Sequence, residues 1–267
     1  MHSTGREDET AGVARLAGEP SLAGCARPDG GDMPRPARSN MADPGEPSRQ
    51  VAVGAGLGGG ELSGADLSSA DLSGADLAAA KAALRTRLLS RRRGLTPEAR
   101  RAAGRQLRDA VLEMPEMQMA GTVAAYVSVG AEPDTRGLLF ALWKRGTYVL
   151  LPALQPDGDL DWASYEGPDS LTAGPRGLLE PVETRRGVTA ITSADLILVP
   201  AVAVDRAGRR LGRGGGSYDR ALARVGAAIQ SVALLYDGEL VEMVPAGPHD
   251  QPVRTAAVAG QGISRLR

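Results

Sequence analysis

The chain has 267 residues, 42% of them hydrophobic, which is room for one large domain or two small ones with a real core. Its 31 basic and 32 acidic side chains leave a net charge of -1, against a general nucleic-acid binder, which needs a basic excess. The lone Cys25 excludes an internal disulfide, His2 and His249 are too few for a histidine zinc site, and no apolar run of about 18 residues is present to span a membrane. The N-terminus lacks a basic-then-apolar leader, so a cytoplasmic location is expected.

Residues 1 to about 60 are rich in Gly, Pro, Ser and Ala without apolar periodicity, and such a segment is expected to be disordered. Ala-Asp-Leu then recurs at Ala65, Ala70 and Ala75, resembling a pentapeptide repeat. Three copies are too few to stack into a core, which favours a low-complexity linker running into the next helix. Residues 1–77 are therefore read as a disordered extension and 78–267 as the folded domain.

Leu77 to Leu89 is helical by propensity, with Leu77, Leu84 and Leu88 on one face. Thr96-Pro97-Glu98 reads as a helix start, with Thr as N-cap and Pro in the first position, and Leu107 and Val111 stripe that helix. A strand is predicted over Thr122–Val129, a helix over Thr135–Arg145, and a strand over Tyr148–Leu151 that ends at Pro152. Further strands are predicted at Leu160–Trp162, Leu196–Val199 and Ser231–Leu235. Alternating strands and helices predict an α/β fold, a three-layer α/β/α domain with a largely parallel sheet, whose ligand site falls at the carboxyl ends of the strands.

The richest segment is Arg210-Leu-Gly-Arg-Gly-Gly-Gly-Ser-Tyr-Asp-Arg220. Gly212, Gly214, Gly215 and Gly216 give a backbone that reaches positive φ and approaches a ligand closely. It lies between a buried-strand pattern and a helix start, an arrangement suited to anions, and Arg210, Arg213 and Arg220 add positive charge. Neither the Walker nor the Rossmann spacing is present. From the residues alone, a nucleotide triphosphate site, a flexible turn with solvated arginines, and an Arg-Gly-Gly element for RNA all stay open.

The longer run Val199–Arg220 resembles the signature of the 5-formyltetrahydrofolate cyclo-ligase family. Lys81–Arg85, Tyr126–Ser128 with Glu132–Thr135, Gly177–Pro181 and Pro245–Asp250 resemble further family pieces in the family's order, over about residues 78 to 260. The resemblance implies an enzyme that uses ATP and Mg²⁺ to convert 5-formyltetrahydrofolate to 5,10-methenyltetrahydrofolate, releasing ADP and phosphate. The formyl oxygen would attack the γ-phosphate, and N10 would then close the ring as phosphate leaves. A monomer acting on a small molecule is expected, with no nucleic acid or membrane partner. A non-catalytic folate- or nucleotide-binding derivative is the alternative.

The same resemblance implies residue roles. Lys81, Arg85 and the run Arg210, Leu211, Gly212, Arg213, Gly214, Gly215, Gly216, Ser217 and Tyr218 would bind the nucleotide. Arg210 and Asp219 would be catalytic, Asp219 and Asp250 would hold the metal, and Glu132 and Tyr218 would face the folate. Each has a plainer reading: Lys81 and Arg85 as a solvated helix face, Asp219 as a charge on a helix dipole, Asp250 as a turn cap, Glu132 as a solvent-facing side chain. Tyr126 and Trp162 are expected in the core, and His249 has no role to fill. The sequence departs from the family pattern at Ser217, where a tyrosine is usual, and at Val204, where a phenylalanine is usual.

Overall fold

The computed structural model describes residues 73–226 and 228–266. Helix α1 (Gly74–Arg93) is capped by Ser73, whose hydroxyl accepts from the Asp76 N–H. Helix α2 (Pro97–Leu112) starts as predicted: the Thr96 hydroxyl accepts from the Ala99 N–H at 3.2 Å, and Pro97 sits where no donor is needed. Then come α3 (Pro115–Met119), β1 (Thr122–Ala124), α4 (Arg136–Lys144), β2 (Tyr148–Leu154) and β3 (Leu160–Ser164). A hairpin of β4 (Leu171–Ala173) and β5 (Leu179–Pro181) precedes a 3-10 segment over Val188–Ser193. The remainder is β6 (Leu196–Pro200), β7 (Ala203–Asp205), β8 (Arg210–Leu211), α5 (Ser217–Ala223), β9 (Gln230–Leu235), β10 (Leu240–Val241), β11 (Thr255–Val258) and β12 (Gly262–Arg265).

Seven strands form one sheet in the order β12-β11-β9-β6-β1-β2-β3. The inner pairs are parallel and only the edge strands β3 and β12 run antiparallel. Parallel strands buried on both faces need apolar side chains on both, which is why β6 reads Leu-Ile-Leu-Val without alternation. One face packs Leu107, Val111, Leu139 and Leu142 of α2 and α4 against Val123, Leu151 and Leu198. The other packs Trp162, Ile191 and Leu222 against Leu150, Ile197 and Leu235. This is the expected three-layer α/β/α arrangement. Helix α1 lies on a third cluster, where Leu88 and Leu84 meet Val202, Leu211 and Val244 around the small sheet β10-β7-β8. Among the described residues no helix is long and apolar enough to cross a membrane.

From β1 the chain turns to β2 on one side and later returns to place β6 on the other, so the crevice between β1 and β6 is the topological switch point. The run predicted as a strand to Val129 leaves the ladder after Ala124. Side chains take over its polar groups there: Thr135 Oγ1 donates to the Tyr126 carbonyl at 2.8 Å and accepts from the Ser128 N–H at 2.9 Å. Strand β2 does not stop at Pro152 but continues to Leu154. Strand β1 reaches only Leu150 in the register, so past that point β2 has β3 as its one neighbour and the missing proline donor leaves no gap in a ladder. Helix α1 begins at Gly74, not near Ala78, so the last Ala-Asp-Leu copy is helical. The two earlier copies, and the expectation of disorder before them, lie outside the described residues.

Candidate active site

A cleft of about 530 Å³ opens where the loops after β1 and β6 meet. Lys81 and Arg85 from α1, Glu132 from the loop after β1, the whole run from Arg210 to Asp219, and Asp250 from the loop before β11 line it, whereas Arg220, expected to add charge there, turns away and donates to the Gly158 carbonyl. His249 is exposed and does not line it, and Trp162 of β3 is buried in the core on one face of the sheet.

The glycine loop needs its glycines. Gly214 and Gly216 hold φ of +109° and +68°, where a side chain would be strained, and a Cβ on Gly212 would lie 2.8 Å from an Arg210 guanidinium nitrogen. Among the described residues, no group accepts a hydrogen bond from the backbone N–H groups of Gly212 through Tyr218. A run of successive free amides beside arginines is a concavity suited to anions.

Ion pairs tie the loop to its surroundings. Arg210, buried, places a guanidinium nitrogen 2.6 Å from Asp219 Oδ1, which also accepts from the Gln251 N–H at 3.1 Å. Arg85 Nε donates to the Gly212 carbonyl at 2.9 Å, so α1 touches the loop directly. Lys81 Nζ lies 2.5 Å from Asp250 Oδ2, which also accepts from the Gly247 N–H at 2.6 Å. Burial pushes the Asp250 carboxyl up, but the Lys81 and Gly247 bonds outweigh it and hold the group below the usual carboxylate range. Arg213 lies 3.4 Å from Glu132 Oε1, and Glu132 Oε2 accepts from the Val129 N–H at 2.9 Å. Ser217 donates its hydroxyl to the Gly158 carbonyl at 2.6 Å, joining the start of α5 to the turn between β2 and β3.

Asp219 and Asp250 each keep one oxygen, Oδ2 and Oδ1 respectively, with no hydrogen bond from a described residue. Carboxylate oxygens are donors of the type Mg²⁺ takes, one or two at a time, together with phosphate oxygens. Among the described residues no cluster of three or more His, Cys, Asp or Glu stands ready to hold a metal unaided.

The hydroxyls of Tyr126 and Tyr218 are buried without a partner among the described residues. Burial, reinforced by the Glu132 charge, raises both phenols well above their ordinary range, so both are neutral O–H groups. Tyr126 is thus more than the core residue expected: it packs in the core and also forms the cleft wall. Its place in the Tyr-Val-Ser piece of the family resemblance was the available signal, whereas the strand end just before it shows only in the structure, the strand having been predicted to Val129. Arg176, Leu178 and Leu179, from the turn and second strand of the β4–β5 hairpin, also line the cleft and were not singled out as site residues.

An open, mainly parallel α/β sheet with its cleft at the switch point defines the class: a protein that holds its ligand across the carboxyl ends of its strands. Comparison with known proteins narrows this. Residues 77–259 match the model of the 5-formyltetrahydrofolate cyclo-ligase family, and residues 54–81 match that of pentapeptide repeats. A 5-formyltetrahydrofolate cyclo-ligase of Mycolicibacterium smegmatis is 40% identical over 193 residues, 70% of this chain and 97% of that protein. One of Escherichia coli is 37% identical over 61% of this chain and 91% of its own length. The solved 5,10-methenyltetrahydrofolate synthetase of Aquifex aeolicus superposes with a TM-score of 0.62 at 31% identity, covering 70% of this chain and 93% of that one. The chain belongs to the 5-formyltetrahydrofolate cyclo-ligase family. Of the pentapeptide match, Gly74–Lys81 is α-helical here.

Proposed function

We propose that this protein catalyses the ATP- and Mg²⁺-dependent cyclisation of 5-formyltetrahydrofolate to 5,10-methenyltetrahydrofolate, with release of ADP and phosphate. The observation that carries this is the convergence, in one cleft, of a glycine loop with free amides, the cations Lys81, Arg85 and Arg210, and the carboxylates Asp219 and Asp250. The glycine loop, Lys81 and Arg85 bind the triphosphate. Arg210 neutralises charge on the transferring phosphoryl group, and Asp219 orients Arg210 through its 2.6 Å pair. Asp219 and Asp250 are the residues that would hold Mg²⁺, which when bound shields the phosphate oxygens.

On the folate side, Glu132 and Tyr218 meet the pterin and formyl region, with Tyr126 beside them. The formyl oxygen takes the γ-phosphoryl group from ATP. N10 then attacks the activated formyl carbon and gives up its proton, the carbon–oxygen bond breaks, and phosphate leaves with the formyl oxygen, the proton passing to phosphate or solvent. The residues contribute position and fixed charge, the main needs of phosphoryl transfer. Residues 78–267, lengthened at the front by the first turn of α1, form the working unit of a monomeric cytoplasmic enzyme.

The test is direct. Purified protein with ATP, Mg²⁺ and 5-formyltetrahydrofolate should release ADP only when the folate is present and should develop the near-ultraviolet absorbance of the methenyl product. Binding of both ligands without either signal would instead identify a non-catalytic module.

A further inference from the structure

We propose that Arg176 recognises the carboxylates of the folate's glutamate tail and so sets the preference among folates, an assignment that rests on reading the cleft as a cyclo-ligase site. Five cations line the cleft: Lys81, Arg85, Arg176, Arg210 and Arg213. Four are engaged within the protein, Lys81 with Asp250, Arg85 with the Gly212 carbonyl, Arg210 with Asp219 and Arg213 with Glu132. Arg176 is exposed and has no hydrogen bond or ion pair with any described residue.

Its backbone is as unusual as its side chain. With φ of 57° and ψ of 24°, Arg176 is the one non-glycine residue at positive φ among the described residues. Left-handed backbone is unfavourable for a residue with a Cβ and persists where the surroundings enforce it, often at ligand sites. The surroundings here do enforce it. Arg176 stands between Gly174 and Gly177, at the turn of the β4–β5 hairpin. That hairpin is fixed by the buried Glu180, whose Oε1 accepts from the Leu154 N–H at 2.9 Å and whose Oε2 lies 3.2 Å from Arg185. Gly174 presses on the same side chain, for a Cβ there would lie 2.6 Å from Glu180 Cδ. The turn is therefore held in place, with a free guanidinium on it.

The chemistry of the neighbourhood selects the partner. Leu178 and Leu179 follow Arg176 in sequence and, with Leu154 and Leu160, give this part of the lining an apolar character. A folate carries a flat benzoyl ring and beyond it a glutamate with two carboxylates. An apolar wall suits the ring, and a planar guanidinium suits a carboxylate, which it can grip with two parallel N–H bonds. The triphosphate already has the glycine loop, Lys81, Arg85 and Arg210.

Three substrates separate the possibilities: 5-formyltetrahydropteroate, which lacks glutamate, the monoglutamate, and the triglutamate. Arg176→Gly removes the cation and adopts positive φ freely, so its melting temperature should equal or exceed that of the parent. Its KM should rise about five- to tenfold for the two glutamate-bearing substrates, the scale of one partly desolvated ion pair. The KM for the pteroate, the KM for ATP and kcat should stay unchanged, and Arg176→Lys should restore part of the loss. Equal KM changes for all three substrates, or a rise in the KM for ATP, would overturn the assignment while leaving the cyclo-ligase reading intact. Parent protein inert toward all three would overturn that reading and this assignment with it.

Discussion

The buried hydroxyls of Tyr126 and Tyr218 carry a cost in the free protein, because a buried donor without an acceptor forfeits its hydration. Tyr218→Phe should therefore raise stability by about 1 kcal/mol in urea unfolding, while raising the KM for the folate. A loss of both stability and affinity would show the hydroxyl to be structural. Asp219 offers the opposite contrast. Its ring of partners, Arg210 and the Gln251 N–H, survives in part when one oxygen becomes an amide. Asp219→Asn should lower kcat far more than it lowers the unfolding midpoint, and equal losses would assign the residue to the fold. Asp250 adds a pH signature. Its carboxyl titrates below the usual range in the folded protein, so its contribution to stability is complete above that usual range and is lost as pH falls through the depressed value. Asp250→Asn should flatten the acid limb of the stability profile and leave the neutral and alkaline limbs parallel to the parent's.

At the scale of elements, α1 acts as a strap. Its middle carries Lys81 and Arg85 to the cleft, and its last turn is pinned by Arg92. Arg92 is buried, makes a two-pronged pair with Glu239 at 2.7 and 2.8 Å, and donates to the Ala201 carbonyl at 2.6 Å. Glu239 also accepts from the Tyr236 N–H, and the Tyr236 hydroxyl donates to the Glu132 carbonyl at 3.1 Å, so one network joins the strap to the loop bearing Glu132. Removing one partner of a buried pair strands the other. Arg92→Ala should cost about 3–5 kcal/mol in urea unfolding, whereas Lys81→Ala, at a partly buried pair, should cost about 1 kcal/mol and act on the KM for ATP. The glycine loop, β6 and the start of α2 were legible because each obeys a local rule: positive φ, an unbroken apolar run, a Thr-Pro cap. The β10-β7-β8 sheet was not, since strands of two or three residues are too short for a period to register. Strand β11 reads Thr-Ala-Ala-Val, four residues with two alanines of poor strand preference at the centre, and is buried on both faces. The cleft roles of Tyr126 and Arg176 depend on where a chain leaves a ladder and how a turn is clamped, and neither is encoded at a single position.

For the whole molecule, topology decides what the N-terminal stretch can contribute. The cleft sits at the β1/β6 switch point, and among the described residues the first to line it is Lys81. The family match begins at residue 77, and Ser73 caps α1. Everything that shapes the cleft among the described residues is thus supplied from α1 onward, even though the pentapeptide-repeat match runs from residue 54 into α1 itself. Deletion of residues 1–72 should leave kcat, both KM values and the melting temperature within error of the parent. Deletion of residues 1–80 is a different cut. It removes the Ser73 cap and the first turns of α1, including Leu77, which approaches Gly247 beside Asp250, and leaves Lys81 at a frayed end. That variant should lose ATP affinity and part of its thermal stability. If instead the shorter deletion already lowers kcat or raises the KM for ATP, the segment before α1 belongs to the working site, and the boundary of the catalytic unit must be moved toward the N-terminus.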